Sequence, residues 1–468
     1  MKKQITVGLD VGTSKVCALV ASIADDGGLE VLGIGITESE GLNRGVVVNI
    51  DKTVKTIKKA IDQAEQQSGV KINEVVVGIA GDHIEAIQTR AIVGISNPNQ
   101  EVQQSDVDRL LINARNIKIP AERQIIHILP QEFIIDGQDG ITDPIGMSGV
   151  RMEADVHIIT GLNTAIKNIQ TCVERAGIKV QQVVLEPFAS SRAILTQEEK
   201  EVGIALIDIG GGTTDIAVFE ENIIRFTSVF GIAGKHVTDD VRKCLGIIAN
   251  QAERVKREYG NCFEAGIMRD EIFMIPGISG RPPMEVSKVD LCKIIEPRME
   301  EIFEFAFSEL NRSGFIDRLG AGIVVTGGAC LLKGTEELAR KVFGMPVKLG
   351  IPTGISYSGL APEVESPVYS TSVGLALYGL DSENTNTRFS EEKSVETETS
   401  NKIENVEIEK KERRLFKKSE KVERFEKVEE KKVVEKQVEN KSEEETEEEK
   451  SSNKISLVSK IKGILEQL

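Results

Sequence analysis

Hydrophobic positions alternate between two spacings over about the first 385 residues. Short, continuously apolar runs predict buried strands, and longer stretches with apolar residues three and four positions apart predict amphipathic helices. The strand-like runs are Ile5–Leu9, Val16–Val20, Val75–Ile79, Ile204–Ile209 and Ile323–Val325, and the helix-like stretches are Asp51–Gln67, Asp106–Asn116, Thr164–Ala176, Asp239–Gly246 and Val289–Leu310. Their alternation predicts the α/β fold class.

The pattern changes after residue 385. Glu, Lys, Ser and Thr dominate residues 386–453, and residues 391–450 contain 21 Glu and no Asp against 16 Lys and Arg. Apolar positions are too sparse there to form a core, so the composition predicts a disordered, charged linker.

Residues 454–468 have a different pattern, which predicts a short amphipathic helix. One helical face would carry Leu457, Val458, Ile461, Ile464, Leu465 and Leu468. About 15 residues reach only ~22 Å, less than the ~30 Å of a bilayer core, so we expect the helix to lie in the surface of an anionic membrane. The alternative is a helix that packs on the protein itself or on another copy.

Composition narrows the classes of function. No apolar run approaches the ~18 residues that a transmembrane helix needs. The sequence begins directly with a strand pattern, so we do not expect export. The net charge of −16 argues against nucleic acid as a partner. The six cysteines are scattered without a pairing rhythm, which is typical of free thiols in a reducing cytosol.

One motif occurs twice, and Asp208 follows Asp10 by 198 positions. Each copy reads as a strand ending in Asp, a Gly- and Thr-containing turn, and a returning strand, which predicts two β-hairpins in two similar lobes. Bare backbone N–H groups and hydroxyls in such turns bind anions, and carboxylates beside phosphates suit Mg²⁺ held partly through water. We predict a phosphate clamp with Asp10 and Asp208 at the metal; its residues are Asp10, Gly12, Thr13, Ser14, Lys15, Asp208, Gly210, Gly211, Gly212, Thr213 and Thr214.

Three further segments suit such a clamp. Glu186 follows a strand and could orient a catalytic water or the Mg²⁺ shell, although it could equally be an ordinary carboxylate at a strand end. Glu253 and Lys256 share one helix face and could hold a ribose or base, or form a plain surface ion pair. Gly327, Gly328 and Ala329 follow another strand and would let a nucleoside lie against backbone.

The order of these segments resembles the actin, sugar kinase and DnaK-type chaperone superfamily, and it is most similar to the FtsA family of bacterial division proteins. The resemblance covers residues 1–385 and the last 15, including the segments Gly280–Pro283 and Glu296–Arg298. It implies an actin-like fold of two lobes around ATP, with weak or no ATPase activity, and adds Gly234 to the nucleotide contacts. It implies filaments of this chain, and it implies other division proteins as partners.

The resemblance also implies how the chain is divided and where a partner binds. The FtsZ C-terminal peptide would dock on the outer subdomain of the second lobe, with Lys293 and Arg298 as its contacts. The implied parts are a first-lobe core at 1–81, 163–195 and 369–385, an inserted small subdomain at 82–162, a second-lobe core at 196–227 and 316–368, the outer subdomain at 228–315, the linker at 386–453 and the amphipathic helix at 454–468.

Two other functions share this fold. A small-molecule kinase needs a catalytic Asp against a substrate hydroxyl, and Glu186 followed by Pro187 is a poor candidate. A pilus-assembly adaptor is the third reading, and a chaperone would continue into a β-rich domain. The membrane-seeking helix favours the adaptor that ties FtsZ to the cytoplasmic face of the membrane at the division site.

Overall fold

The computed structural model describes residues 4–97, 99–277 and 280–381. The strands are β1 Ile5–Val11, β2 Lys15–Ile23, β3 Leu29–Glu38, β4 Leu42–Asn43, β5 Val46–Val47, β6 Glu74–Ile79, β7 Glu85–Gly94, β8 Arg123–Ile135, β9 Gln138–Ile141, β10 Arg151–Leu162, β11 Lys179–Leu185, β12 Ile204–Ile209, β13 Thr214–Glu220, β14 Ile223–Phe230, β15 Ile272–Ile275, β16 Met284–Ser287, β17 Ile323–Thr326, β18 Val347–Leu349 and β19 Ile355–Gly359.

The helices alternate with these strands as the sequence pattern predicts. They are α1 Ile50–Ser68, α2 Gln104–Arg115, α3 Asn163–Arg175, α4 Glu186–Ile194, α5 Gln197–Val202, α6 Gly234–Leu245, α7 Ala249–Tyr259, α8 Lys288–Ser313, α9 Thr335–Phe343 and α10 Ala361–Val364. Residues 370–381 are also helical up to the end of the described chain, and we refer to them as the 370–381 helix.

Two sheets of the same construction form the two lobes. In the first, the order is β11-β6-β1-β2-β3-β19, and in the second it is β14-β13-β12-β17-β18. In both, the repeated hairpin supplies a central antiparallel pair, β1–β2 or β12–β13, and a parallel strand joins its first member, β6 or β17. The sequence repeat is therefore a repeat of the whole strand arrangement around each hairpin.

Helices α4 and 370–381 lie between the two sheets. Buried residues of α4 and of the 370–381 helix share one apolar cluster with strands of both lobes, among them Leu19 and Leu206. The helices approach each other closely, because a Cβ at Gly374 would overlap the backbone of Ala189. Any relative movement of the lobes must act on this layer, which is tightly packed.

A separate four-stranded sheet, β7-β10-β8-β9, packs on α2 and has its own core. It contacts both lobes. His127 of β8 accepts a hydrogen bond from the backbone N–H of Leu185 at 3.0 Å, and Gln131 donates to the carbonyl of Ile224 at 2.7 Å. Burial lowers the pKa of His127 to about 4, so the imidazole is a neutral acceptor in this contact.

Helix α6 is longer than its sequence predicts. We expected a helix from Asp239, but α6 begins at Gly234, a residue type that disfavours helix interiors. The second hairpin stabilises this start, because the carbonyls of Gly210 and Gly211 accept the backbone N–H groups of Gly234 and Lys235 at 3.1 and 2.8 Å. This tertiary contact, which local sequence cannot report, replaces a side-chain cap.

The charged linker and the predicted amphipathic helix lie outside the described residues, and both stay predictions. Within the described part of the chain, every helix is too short or too polar to cross a bilayer. The cysteines are free thiols, and all but Cys244 are buried.

Candidate functional site

The tips of the two hairpins lie against each other between the lobes. A Cβ placed on Gly211 would overlap the hydroxyl of Ser14, and one on Gly212 would come within 2.5 Å of Thr13 Oγ1. The second hairpin thus contributes bare backbone where the first contributes hydroxyls. Thr13 is fixed from two sides: Lys235 Nζ donates to its carbonyl at 2.8 Å, and Gly45 donates its N–H to Thr13 Oγ1 at 3.0 Å.

In the first hairpin, Asp10 is paired with a cation from the same turn. Lys15 Nζ donates to Asp10 Oδ2, and the exposed fractions of the two side chains are 23% and 6%. Burial alone would lower the pKa of Lys15, but the Asp10 carboxylate outweighs burial and raises that pKa. The first hairpin therefore presents a neutralised carboxylate to the cleft.

In the second hairpin, Asp208 lies beside another carboxylate instead. Asp215 is the direct cross-strand partner of Asp208, and both side chains are buried. Burial, with a contribution from Asp10, raises the pKa of Asp208 to about 6, and burial together with Asp208 raises the pKa of Asp215. Like charges directly opposite each other are unfavourable, so this pair suits a site that receives a cation.

Two hydroxyls hold Asp208 from helices of the first lobe. Ser190 of α4 donates to Asp208 Oδ2 at 3.0 Å, and Thr371 donates to the same oxygen at 3.4 Å. On the other side, the second carboxylate oxygen Oδ1 lies against the Cα of Gly327, where a Cβ would overlap it. Gly327 adopts a φ of 92°, which favours glycine.

Glu186 begins α4 on the floor of the same cleft. Burial, and then the carboxylates of Asp10, Asp215 and Asp208, raise its pKa well above the usual range. Its Oε1 lies 3.1 Å from the position that a Cβ on Gly78 would take, so it contacts the backbone of β6. Glu186 therefore lies near the metal candidates, as the sequence predicts, and its environment favours the protonated form at neutral pH.

A second group of predicted residues meets behind the second hairpin. Lys256 Nζ lies 2.7 Å from Glu253 Oε2 and also donates to Thr238 Oγ1 and to the carbonyl of Gly234, at 2.8 and 3.1 Å. Ala329 is near as well, since its Cβ is 3.3 Å from where a Cβ on Gly234 would lie. A Cβ at Gly328 would meet no described atom within 4 Å.

The geometry fits a magnesium–phosphate ligand. The buried Asp215 Oδ1 has no hydrogen-bond partner, and Asp208 and Asp215 oppose each other without a cation in their hairpin. In the described ranges, no three His, Cys, Asp or Glu side chains form a cage for a metal ion. The carboxylates are therefore suited to an ion that keeps water and phosphate oxygens as its other ligands.

Curated relatives match the chain over most of its length. The cell division protein FtsA of Pseudomonas aeruginosa is 46% identical over 377 residues, which span 81% of this chain and 89% of the relative. The chain belongs to the FtsA family. FtsA of Neisseria meningitidis is 44% identical over 78% of this chain and 88% of its own, and FtsA of Escherichia coli is 38% identical over 81% and 91%. The resemblance inferred from the sequence motifs is confirmed.

Family models and a solved structure agree with the FtsA assignment. A model described as "Cell division protein FtsA" matches residues 205–374, and one described as "SHS2 domain inserted in FTSA" matches residues 81–160. The structure titled "PilM-PilN type IV pilus biogenesis complex" is 17% identical, has a TM-score of 0.57, and covers 80% of this chain and 98% of its own. The predicted α/β, actin-like fold is confirmed.

The predicted FtsZ contacts lie on α8, and they differ in accessibility. Lys293 is more than half exposed and lies 3.6 Å from Asp290. Arg298, which we expected to be solvated, instead bridges to Asp240 of α6 at 2.6 Å and to Glu301. Pro297 precedes it inside the helix and removes one backbone hydrogen bond there. Arg298 thus holds α8 to α6 as well as lying on the candidate surface.

The sequence analysis left several residues of the FtsA cleft out of the predicted site. Asp215 was part of the quoted motif, and counting the hairpin register outward from the turn would have placed it opposite Asp208. Ser190 and Thr371 give no local signal, because the latter is 163 positions from Asp208. The membrane candidates Leu457, Val458, Ile461, Ile464, Leu465 and Leu468 lie outside the described residues.

Proposed function

We propose that this FtsA-family chain is an ATP-binding, filament-forming adaptor that ties FtsZ to the cytoplasmic face of the membrane at the division site. The observation that carries the nucleotide part is the meeting of two hairpin tips beside the buried, uncompensated pair Asp208 and Asp215. The relatives named as cell division proteins support the division role.

In this proposal, bare backbone and hydroxyls at the two tips bind the phosphates. Gly211 and Gly212 supply unobstructed N–H groups, and Thr13 and Ser14 supply hydroxyls. Asp208 and Asp215, with Asp10, would hold hydrated Mg²⁺, which neutralises the phosphates and the carboxylates together. Glu186 would orient a water, and a protonated Glu186 is a weak base, which suits slow hydrolysis or none.

The nucleoside would lie against the second lobe. Gly234, Gly327, Gly328 and Ala329 supply the close backbone, while the Lys256–Glu253 pair at 2.7 Å offers a donor and an acceptor for ribose hydroxyls. ATP would then bridge the lobes and set the surfaces that copies of the chain present to each other. A filament carrying many weak membrane helices binds by avidity.

The membrane and FtsZ parts rest on the amphipathic pattern of 454–468 and on family membership. We test them with full-length protein on vesicles of anionic lipid, with and without MgATP, by sedimentation and electron microscopy. We expect the wild type to pellet and to recruit an FtsZ C-terminal peptide. Ile461→Glu with Ile464→Glu should release it, whereas Ser459→Gln on the opposite face should not.

Two outcomes would contradict this proposal. Equal pelleting of the double variant would remove the membrane role. Failure of the wild type to bind the FtsZ peptide would remove the adaptor role. Lys293→Glu is the sharper probe of the peptide site than Arg298→Glu, because the latter also breaks the ion pair with Asp240.

A further inference from the structure

Asp208 receives its two hydrogen bonds from a part of the molecule far from its own hairpin. Ser190 lies in α4 and Thr371 in the first turn of the 370–381 helix; the two hydroxyls are 3.1 Å apart and both contact Oδ2. Ser190 is fully buried and Thr371 is 8% exposed. Buried hydroxyls placed on one carboxylate oxygen form charge-assisted hydrogen bonds that water cannot replace.

Both helices are anchored on the first lobe. A Cβ at Gly8 of β1 would lie 2.6 Å from the carbonyl of Ser372, so the 370–381 helix packs directly on the first hairpin strand. Helix α4 follows β11 of the same sheet. The bonds to Asp208 therefore cross from one lobe to the other, and Ser370 makes a second crossing to Thr326 of β17 at 2.8 Å.

The two oxygens of Asp208 have different surroundings. Oδ2 takes both hydroxyls, whereas Oδ1 receives no hydrogen bond from another described residue and lies beside Gly327. Rotation of the carboxylate about its χ2 torsion is normally easy, because such terminal torsions are broad. The pair of hydroxyls removes that freedom and leaves Oδ1 as the oxygen available to a ligand.

We propose that Ser190 and Thr371 are positioning residues that orient Asp208 toward the magnesium–phosphate group of the nucleotide. This inference rests on the proposed function, because it requires that the cleft binds a nucleotide with Mg²⁺. It also makes the affinity for that ligand depend on the alignment of the two lobes, since one partner of each bond belongs to each lobe.

The competing explanation is that the hydroxyls only fill the buried layer between the lobes. In that case their removal would lower stability, and it would weaken nucleotide binding equally with and without Mg²⁺. A positioning role predicts a loss confined to the part of the affinity that Mg²⁺ supplies, and it predicts that the loss vanishes when Asp208 is already gone.

The experiment measures ATP affinity of the full chain by calorimetry, in Mg²⁺ and in EDTA. We expect Thr371→Val to lower the affinity about tenfold in Mg²⁺ and less than about twofold in EDTA, since one bond to a charged acceptor is lost. Thr371→Ser should restore binding to within about twofold of wild type. Ser190→Ala should resemble Thr371→Val.

Ser372→Ala is the matched control, because Ser372 is equally buried in the same helix and lies beside the Cys17 thiol rather than Asp208. It should bind like wild type. In the Asp208→Ala background, Thr371→Val should cause no further loss. Thermal unfolding without nucleotide reports whether each variant is folded.

The outcomes separate the two levels of the argument. If wild type binds and Asp208→Ala weakens binding but Thr371→Val does not, the positioning role is wrong and the proposed function stands. Equal losses in Mg²⁺ and EDTA, or a further loss in the Asp208→Ala background, would also overturn it. If wild type does not bind MgATP at all, the proposed function itself fails.

Discussion

The two hairpins at the centre of this protein share a backbone plan but carry opposite electrostatic arrangements. In the first, Asp10 faces Cys17 across the strands and pairs with Lys15. In the second, the equivalent positions are Asp208, Asp215 and Thr213, so a second carboxylate replaces the thiol and no cation replaces the lysine. The duplicated fold is nearly symmetric, whereas the charge is not.

This difference teaches where a cation is needed. The first hairpin neutralises its own carboxylate, and it can approach phosphate without help. The second hairpin holds two buried carboxylates whose pKa values are raised by burial and by each other. Buried charge without a partner is unfavourable, so the nucleotide-free protein stores strain on one side of the cleft only, the side where Mg²⁺ would bind.

The sharpest way to break the comparison is to neutralise one carboxylate on each side and measure unfolding without nucleotide. Asp10→Asn should lower the free energy of unfolding by about 2–3 kcal/mol, because it leaves the largely buried Lys15 without its partner. Asp215→Asn should raise it by about 1 kcal/mol at pH 7.5, because it removes repulsion. Chemical denaturation reports both.

The gain from Asp215→Asn should depend on pH. A carboxyl whose folded pKa is raised stabilises the native state at low pH, and that stability is lost as pH rises through the folded pKa, here about 6 for Asp208. Wild type should therefore match the Asn variant at pH 5 and fall behind it above pH 6. A gain that is constant with pH would exclude charge repulsion as its cause.

A smaller effect is expected from crowding the contact between the tips. Gly211→Ala places a methyl group against Ser14, whose Cβ lies 2.8 Å from that position, and should destabilise the protein by about 1–3 kcal/mol. Gly210→Ala is the matched control, since its nearest neighbour is an ordinary 3.4 Å away. Adding Ser14→Gly should relieve Gly211→Ala; no relief would mean that the tips do not touch in solution.

The smallest expected effect comes from giving the second hairpin the cation of the first. Thr213 occupies the position equivalent to Lys15 and is buried. Thr213→Lys should raise the affinity for ATP in EDTA about fivefold and reduce the further gain from Mg²⁺, because the ammonium takes over part of the neutralisation. Unchanged dependence on Mg²⁺ would show that the asymmetry between the hairpins is irrelevant to binding.

The sequence was most informative where the structure is local or repeated. The spacing of apolar residues predicted the strands of both hairpins, and the repeat of the Asp–Gly motif predicted two similar lobes, because strands and turns follow short-range rules. It also placed Glu186 at the end of a strand facing the cleft. Asp215 could have been predicted by the same arithmetic, since a four-residue turn sets it opposite Asp208.

Contacts between distant segments could not be predicted in this way. The hydroxyl of Thr371 reaches Asp208 only because the 370–381 helix packs between the lobes. The early start of α6 at Gly234 depends on carbonyls of the second hairpin, against the helix propensity of glycine. Arg298 has the character of a surface residue in sequence, but Asp240 on another helix engages it. In each case the deciding partner is set by tertiary packing.

The most direct test is a calorimetric titration of ATP into the wild type and into Asp208→Asn, each in Mg²⁺ and in EDTA. We predict that wild type binds ATP with one site per chain and that Mg²⁺ strengthens this binding about tenfold or more, whereas Asp208→Asn loses most of that gain. Absence of binding by the wild type, or equal strengthening by Mg²⁺ in both proteins, would contradict the assignment of the cleft.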